Sequence, residues 1–318
     1  MSFKRFDAED IVISAEAIAA PLWSTGSPEL TTFETSSVQA ASVSGKYYLD
    51  VYQSDPAQNA DAEVQFSLAY ANKTGAGSLD FNPAVPGKSP SAAIYGQLRT
   101  LILGDENTDF TLTGSVTPSF FAISIDRARF KEKILPASLL LELDGVQYTD
   151  DSLDVTTVTY KDAGRVYNLG EVATADTPGS ITGTPIGWVL PDIGIILIDS
   201  LLVSGFAAIN ESANAGGTNP SVLKPYITSF TLSSEETVTS DFIFVRVKNS
   251  EFNYSMNPSY VDSNGELTHG NMINAPQSYL TTVGLYNDNN DLVAVAKLSK
   301  PLLKDFTKEA LVRIKLDF

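Results

Sequence analysis

Residues 279–298 read YLTTVGLYNDNNDLVAVAKL, and this pattern decides the fold class. Two runs of strand-forming residues flank Asn287-Asp288-Asn289-Asn290-Asp291, a cluster that tolerates the tight backbone of a hairpin loop. In the first run Tyr279, Thr281, Val283 and Leu285 share one face; in the second, Leu292, Ala294, Ala296 and Leu298 do. The opposite face carries Val293 and Val295. A hairpin apolar on both sides belongs inside a sheet or against another body, because alone in water it invites aggregation. Pro301, with no amide hydrogen to give, is expected to stop the ladder. None of these residues does chemistry.

Working outward, the same alternation recurs. Strands are expected at 10–14, 46–53, 63–69, 120–125, 139–143, 155–160 and 165–168. More are expected at 188–190, 193–198, 227–232, 241–248 and 311–316. The alanines after Ser14 would also suit a helix ending before Pro21. Asp144-Gly145 and Pro191-Asp192 read as turn pairs, while 72–91 and 173–185 read as loops.

The clearest helix spans 90–103. Ser89 can cap it, Pro90 suits its first turn, and Gly104 can close it in a left-handed conformation. Ile94, Tyr95, Leu98, Leu101 and Ile102 fall on one face, which has to lie on something, and a sheet is the expected partner. Asp126 and Pro136 bracket a second, short basic helix over 126–135 (DRARFKEKIL). The expected architecture is therefore mainly β, with antiparallel sheets in a sandwich-like arrangement and one or two short packed helices. The 318 residues read as one intertwined strand-rich unit, with a candidate boundary near 210–222, where NESANAGGTNP is the least core-like stretch.

A net charge of −17 argues against nucleic acid or an anionic membrane as partner, and it makes copies of the chain repel. With no cysteine, thiolate chemistry, disulfides and Cys-bound zinc are excluded. The single histidine, His269, sits in a Gly/Asn/Thr-rich turn and reads as a solvated loop residue. The opening MSFKRFDAED lacks the apolar run of a signal peptide, and no stretch reaches membrane-spanning length.

Chemical constellations are few. GDENTDF (104–110) sets Asp105, Asn107 and Asp109 like the first ligands of a calcium loop. Phe110 replaces the required glycine and Val116 the bidentate glutamate, so an acidic helix-end loop is expected instead. Asp150, Asp151 and Asp154 could serve a glycosidase, but 38 acids leave sequence no means of choosing a pair. No catalytic residue, cofactor or metal is expected.

Two features read as protein contacts. Arg127, Arg129, Lys131 and Lys133 form a basic cluster in an acidic chain, either a solvated helix face or a dock for an acidic neighbour. Phe252, Tyr254 and Tyr260 surround Met256-Asn257-Pro258, as interface anchors or as a small core beneath the loop.

Four stretches together resemble a known family. They are IYGQLRTLILGDENTDF (94–110), ISIDRARFKEKILPASLLLEL (123–143), FVRVKNSEFNYSMNPSYVDSNGE (244–266) and the ending YLTTVGLYNDNNDLVAVAKLSKPLLKDFTKEALVRIKLDF (279–318). They are similar to virion structural proteins of large contractile-tailed bacteriophages, the T-even-like and cyanophage-type myoviruses. The resemblance implies a non-enzymatic tail component, in the baseplate, made in the host cytoplasm and built into the virion. Its partners would be other tail and baseplate proteins and copies of itself in a symmetric assembly, without nucleic acid or membrane. The family has no catalytic residues to carry over. Rival readings are a neck or connector protein, a receptor- or glycan-binding tail module, and an acid-dependent glycosidase.

Overall fold

Apolar alternation becomes strand along most of the chain. The computed structural model describes residues 5–42, 44–78, 81–82, 84–85, 89–205, 207–211, 219–255 and 257–317. Its first strands are β1 (Ile11–Pro21), β2 (Glu29–Leu30), β3 (Glu34–Thr35), β4 (Tyr48–Tyr52), β5 (Val64–Asn72) and β6 (Ser119–Ile125). Next come β7 (Lys133–Ile134), β8 (Leu140–Leu143), β9 (Val146–Asp150), β10 (Thr159–Lys161), β11 (Gly164–Val172), β12 (Ile181–Leu190) and β13 (Ile195–Asp199). The last are β14 (Ile227–Thr231), β15 (Ser233–Val247), β16 (Gln277–Tyr286), β17 (Leu292–Asp305) and β18 (Ala310–Asp317). The α-helices are α1 (Ser37–Ala41), α2 (Pro90–Leu103), α3 (Ser200–Val203) and α4 (Asn219–Val222). The protein is thus mainly β, with antiparallel sheets and a few short helices.

The chain forms two compact units, residues 17–236 and residues 1–16 with 237–318, and the divisions fall within β1 and β15. In the larger unit one antiparallel sheet runs β2-β14-β8-β9-β11-β12-β13-β6-β5-β4-β3, with β10 added to β11. Its two edge strands, β2 and β3, are separated in the chain only by Thr31-Thr32-Phe33. Leu30 to Glu34 can span at most about 14 Å, so the sheet curls until its ends nearly meet. Opposite walls then face each other as in a sandwich.

The inner face holds Trp23, Phe33, Phe66, Ile123, Ile196, Leu169, Leu141 and Phe230. Trp23 Nε1 donates to the Phe230 carbonyl at 2.9 Å, giving the buried indole its partner. The central strands are buried on both sides: Phe121, Ile123 and Ile125 of β6 point in, Phe120 and Ala122 out. That explains the near-continuous apolar runs FFAISI and IGIILI.

On the outer face α2 lies on the sheet through Tyr95 and Ile102, against Phe110, Phe120 and Trp188. Gly104 ends it at φ 66°, its N–H bonded to Thr100 O, and a Cβ there would collide with the Asp162 carboxylate. Ser89 stands at the N-cap without a side-chain cap bond, and Leu101, expected on the apolar face, is exposed.

The smaller unit pairs β15 with β18 from Ser240↔Asp317 to Val247↔Ala310. The β16–β17 hairpin lays Val283, Leu285, Ala294, Ala296 and Leu298 onto Ile243, Val312 and Ile314. The hairpin that opened the sequence reading therefore covers one of its faces with its own unit. Asn287 Oδ1 closes the loop, accepting from Asn289 N and Asp291 N, with Asn290 at φ 64°.

Several expectations are corrected. Residues 126–135 form a single turn followed by β7, not a helix: Asp126 Oδ1 accepts from Ala128 N, and buried Phe130 and Ile134 draw the chain into the core. Ile134 and Lys133 pair with Ser234 and Glu235 of β15. Pro301 does not end the ladder. β17 bulges between Lys297 and Leu302, opposite Thr281, and pairing resumes at Leu280↔Leu302. The 173–185 loop ends early, because Ile181 and Thr182 already pair with Val172 and Glu171. Residues 155–158 lie outside the strand that begins at Thr159. The 10–14 strand continues through the alanines to Pro21. Within the 72–91 loop, residues 79–80, 83 and 86–88 lie outside the described residues, as do 212–218 of the candidate boundary and Met256.

Candidate functional site

One cross-strand pair organises the aromatic loop of the smaller unit. Ser278 of β16 stands directly opposite Lys304 of β17, and both are buried. Ser278 Oγ donates to the Phe252 carbonyl. Lys304 Nζ donates to Asn249 O at 2.9 Å, Asn253 Oδ1 at 2.8 Å and Asp305 O at 2.9 Å. An ammonium at zero exposure is tolerable here because all three of its protons meet oxygens. Phe252 takes φ 56°, a conformation that costs a bulky residue about 1–3 kcal/mol and persists because these bonds hold the loop on either side of it. The clamp presents Tyr254, exposed, with its ring edge-on to Tyr260 at 5.7 Å. Of the expected trio, Tyr254 and Tyr260 are thus brought together and Phe252 is the anchored hinge between strand and loop.

The hairpin beside this loop leaves apolar side chains open: Val293 is 67% exposed and Val295 58%, and Tyr279 and Leu292 are exposed as well.

The basic cluster belongs to the larger unit, and its charges are partly spoken for. Arg127 lies over the Phe130 ring at 4.6 Å and donates to Phe130 O. Arg129 pairs with Glu63 at 2.6 Å, Lys131 with Glu236 at 2.5 Å and Lys133 with Glu235 at 3.5 Å. Lys131 is 68% exposed, far more open than Arg129 or Lys133.

The acids considered for sugar chemistry are each bound into a turn. Asp150 accepts from Ala137 N and Ser152 N, Asp151 from both the N–H and the side-chain amide of Asn168, and Asp154 from Ile181 N and Ser180 Oγ. Burial raises the Asp150 carboxyl above its ordinary value, while the bonds from Ile181 and Ser180 lower that of Asp154. Asp151 borders a cavity of about 400 Å³ that also touches Trp188, Asn168, Lys161 and Thr113. In the 104–110 loop Asp105 folds back on Asn107 N and Thr108, making the acidic helix-end turn the sequence reading preferred. Among the described residues no group of three or more His, Cys, Asp or Glu is placed to hold a metal ion. His269 is exposed, and among the described residues no helix is long and apolar enough to cross a membrane.

Sequence reasoning missed Ser278, Lys304 and the openness of β1. A lysine in an alternating run reads as a solvent-facing residue, so only the bulge in β17 could have signalled Lys304. No family model, curated protein or solved structure matches the chain.

Proposed function

We propose that the chain is a structural subunit of a contractile phage tail, built into the baseplate, where it holds neighbouring subunits in the arrangement that precedes contraction. The observation that carries this reading is the apolar sheet surface that the smaller unit leaves uncovered, Val293, Val295 and Tyr279, beside the anchored Tyr254–Tyr260 pair. Exposed apolar area of this kind marks a contact surface, and aromatics held rigid make strong anchors. The sequence resemblance gives the assembly. Clamping by Lys304 and Ser278 fits a load-bearing contact, since a pre-ordered loop loses little entropy on docking.

The test is location. Mass spectrometry and immuno-gold labelling of purified virions should find the chain at the tail end, and particles stripped of tails should lack it. Its retention on tail-less heads would favour the neck or connector reading and overturn this one. A glycan-binding module draws on one observation, the Trp188 cavity with Asn168 and Lys161 at its wall. It requires the isolated chain to bind host-cell glycans, and binding lost in Trp188→Ala would establish it.

A further inference from the structure

Among the described residues the first long strand is the most exposed of the long strands. β1 ends the sheet order β1-β15-β18, so among the described residues no strand pairs with the other side of its backbone. All of Ile11–Pro21 is exposed except Ala20, which is half-buried, so both faces of the strand are open. Its sequence, IVISAEAIAAP, holds one charge, Glu16. A long apolar edge of this kind is a template for another strand unless something blocks it, and here no lysine, no interior proline and no covering helix does.

We propose that the free edge of β1 pairs antiparallel with β1 of a second copy, about a two-fold axis through Ala15. The inference rests on the assembly reading above and names one of its contacts. Charge favours a second copy at this place. The smaller unit, which contributes residues 1–16, has ten Lys and Arg against thirteen Asp and Glu, a net of −3, leaving −14 of the −17 on the larger unit. Two copies meeting along Ile11–Glu16 therefore bring together the unit that carries the smaller share of the charge.

The sequence also selects the register. An axis through Ala15 sets Ile11 opposite Ala19, Ile13 opposite Ala17 and Ala15 opposite itself on one face, each large side chain against a small one. On the other face Val12 meets Ile18, and Ser14 meets Glu16, whose carboxylate can accept the serine hydroxyl. An axis through Glu16 sets two carboxylates against each other, and parallel in-register pairing stacks them likewise. An axis through Ile13 leaves only residues 11–15 overlapping. The contact is isologous and closes on itself, so it yields a dimer and not a fibre.

The chain has no cysteine, which makes the test clean. Ala15→Cys should give a covalent dimer under mild oxidation, because directly opposed residues lie close to disulfide range. Ile13→Cys alone should cross-link at least tenfold less, and the Ile13→Cys/Ala17→Cys double variant should cross-link well. Wild type should sediment as a dimer. Ile13→Lys/Ala17→Lys, which sets lysine opposite lysine at exposed positions (Ile13 is 70% exposed), should sediment as a monomer with an unchanged circular dichroism spectrum. A wild-type monomer at tens of micromolar, with no Ala15→Cys cross-link, overturns the proposal even if the chain is found in tails. Absence of the chain from virions would instead remove the assembly reading and leave the dimer measurement standing by itself.

Discussion

The rings of Phe66 and Phe230 meet edge to face with their centroids 5.4 Å apart, although six strands lie between β5 and β14 in the hydrogen-bonded order. In a flat sheet seven strand spacings would put them about 34 Å apart. Their contact is therefore the closure of the curled sheet, shared with Trp23, whose ring lies 5.0 Å from Phe230 and 6.2 Å from Phe66.

Removing either ring should open that closure. Phe66→Ala should cost about 3–5 kcal/mol, from lost burial and the cavity left behind. Phe66→Leu should cost markedly less. Urea denaturation followed by tryptophan fluorescence reads both, since Trp23 is at the site. A loss under about 1 kcal/mol for Phe66→Ala would mean that the two walls are not packed through these rings.

This closure shows what the sequence could and could not tell. Local pattern exposed the strands, the α2 caps and the Asp144-Gly145 turn, whose φ values of 51° and 80° match the hairpin type that favours this pair. It placed β6 and β13 as strands, and the structure shows that both are buried on two faces. Local pattern could not show that Phe66 and Phe230, 164 positions apart in the sequence, share a core, because pairing order depends on non-local contacts. The basic stretch 126–135 misled for a physical reason. Asp126 and Pro136 bracket it as they would a helix, but Phe130 and Ile134 are drawn into the core and Lys133–Ile134 pair with β15. At the candidate site Tyr254 and Tyr260 were legible as aromatics in a turn, whereas the clamp beneath them was not, since Lys304 looks like an ordinary surface lysine.

Asp192 and Asp150 should leave opposite pH signatures. Burial alone would raise the Asp192 carboxyl, but hydrogen bonds from the Arg165 side chain and backbone, at 2.7–3.0 Å, together with its charge, hold it below the ordinary value. A lowered carboxyl stabilises the fold above the unfolded-chain pKa of about 3.9 and loses that contribution as pH falls through the folded value. Asp192→Asn should thus cost about 1–2 kcal/mol at pH 7 and at pH 5, with the gap to wild type closing below about pH 4. Asp150 is raised by burial, so its ionised form is disfavoured in the fold. Stability should grow as pH falls from that raised value to about 3.9, relative to Asp150→Asn. Denaturant midpoints at pH 7, 5 and 3 check both, and a gap for Asp192→Asn that persisted unchanged at pH 3 would contradict the ion pair.

Lys304 should matter more than its place in the sequence suggests. Lys304→Met keeps the length of the side chain and removes three donated bonds, so Asn253 Oδ1 loses the ammonium while Asn249 O keeps its bond from Asn253 Nδ2. Each bond lost from a charged donor costs about 1.5–3 kcal/mol. The expected outcome is faster amide exchange across residues 248–260, with the larger unit's exchange unchanged. Uniform destabilisation of the whole chain would mean that the clamp is not local to the aromatic loop.

The basic cluster separates a fold contribution from a contact contribution. Arg129→Glu would set a carboxylate against Glu63, where the present partner distance is 2.6 Å, and so should lower stability by about 1–2 kcal/mol before any neighbour is involved. Lys131→Glu is the cleaner probe. Its pair with Glu236 is exposed on both sides, so the isolated chain should lose no more than about 0.5 kcal/mol. If the cluster docks an acidic neighbour, Lys131→Glu should still slow incorporation into tails, with a deficit that widens at low salt because like charges then repel over a longer range. Equal incorporation of Lys131→Glu and wild type at both low and physiological salt would confine the cluster to holding β7 and its turn in place.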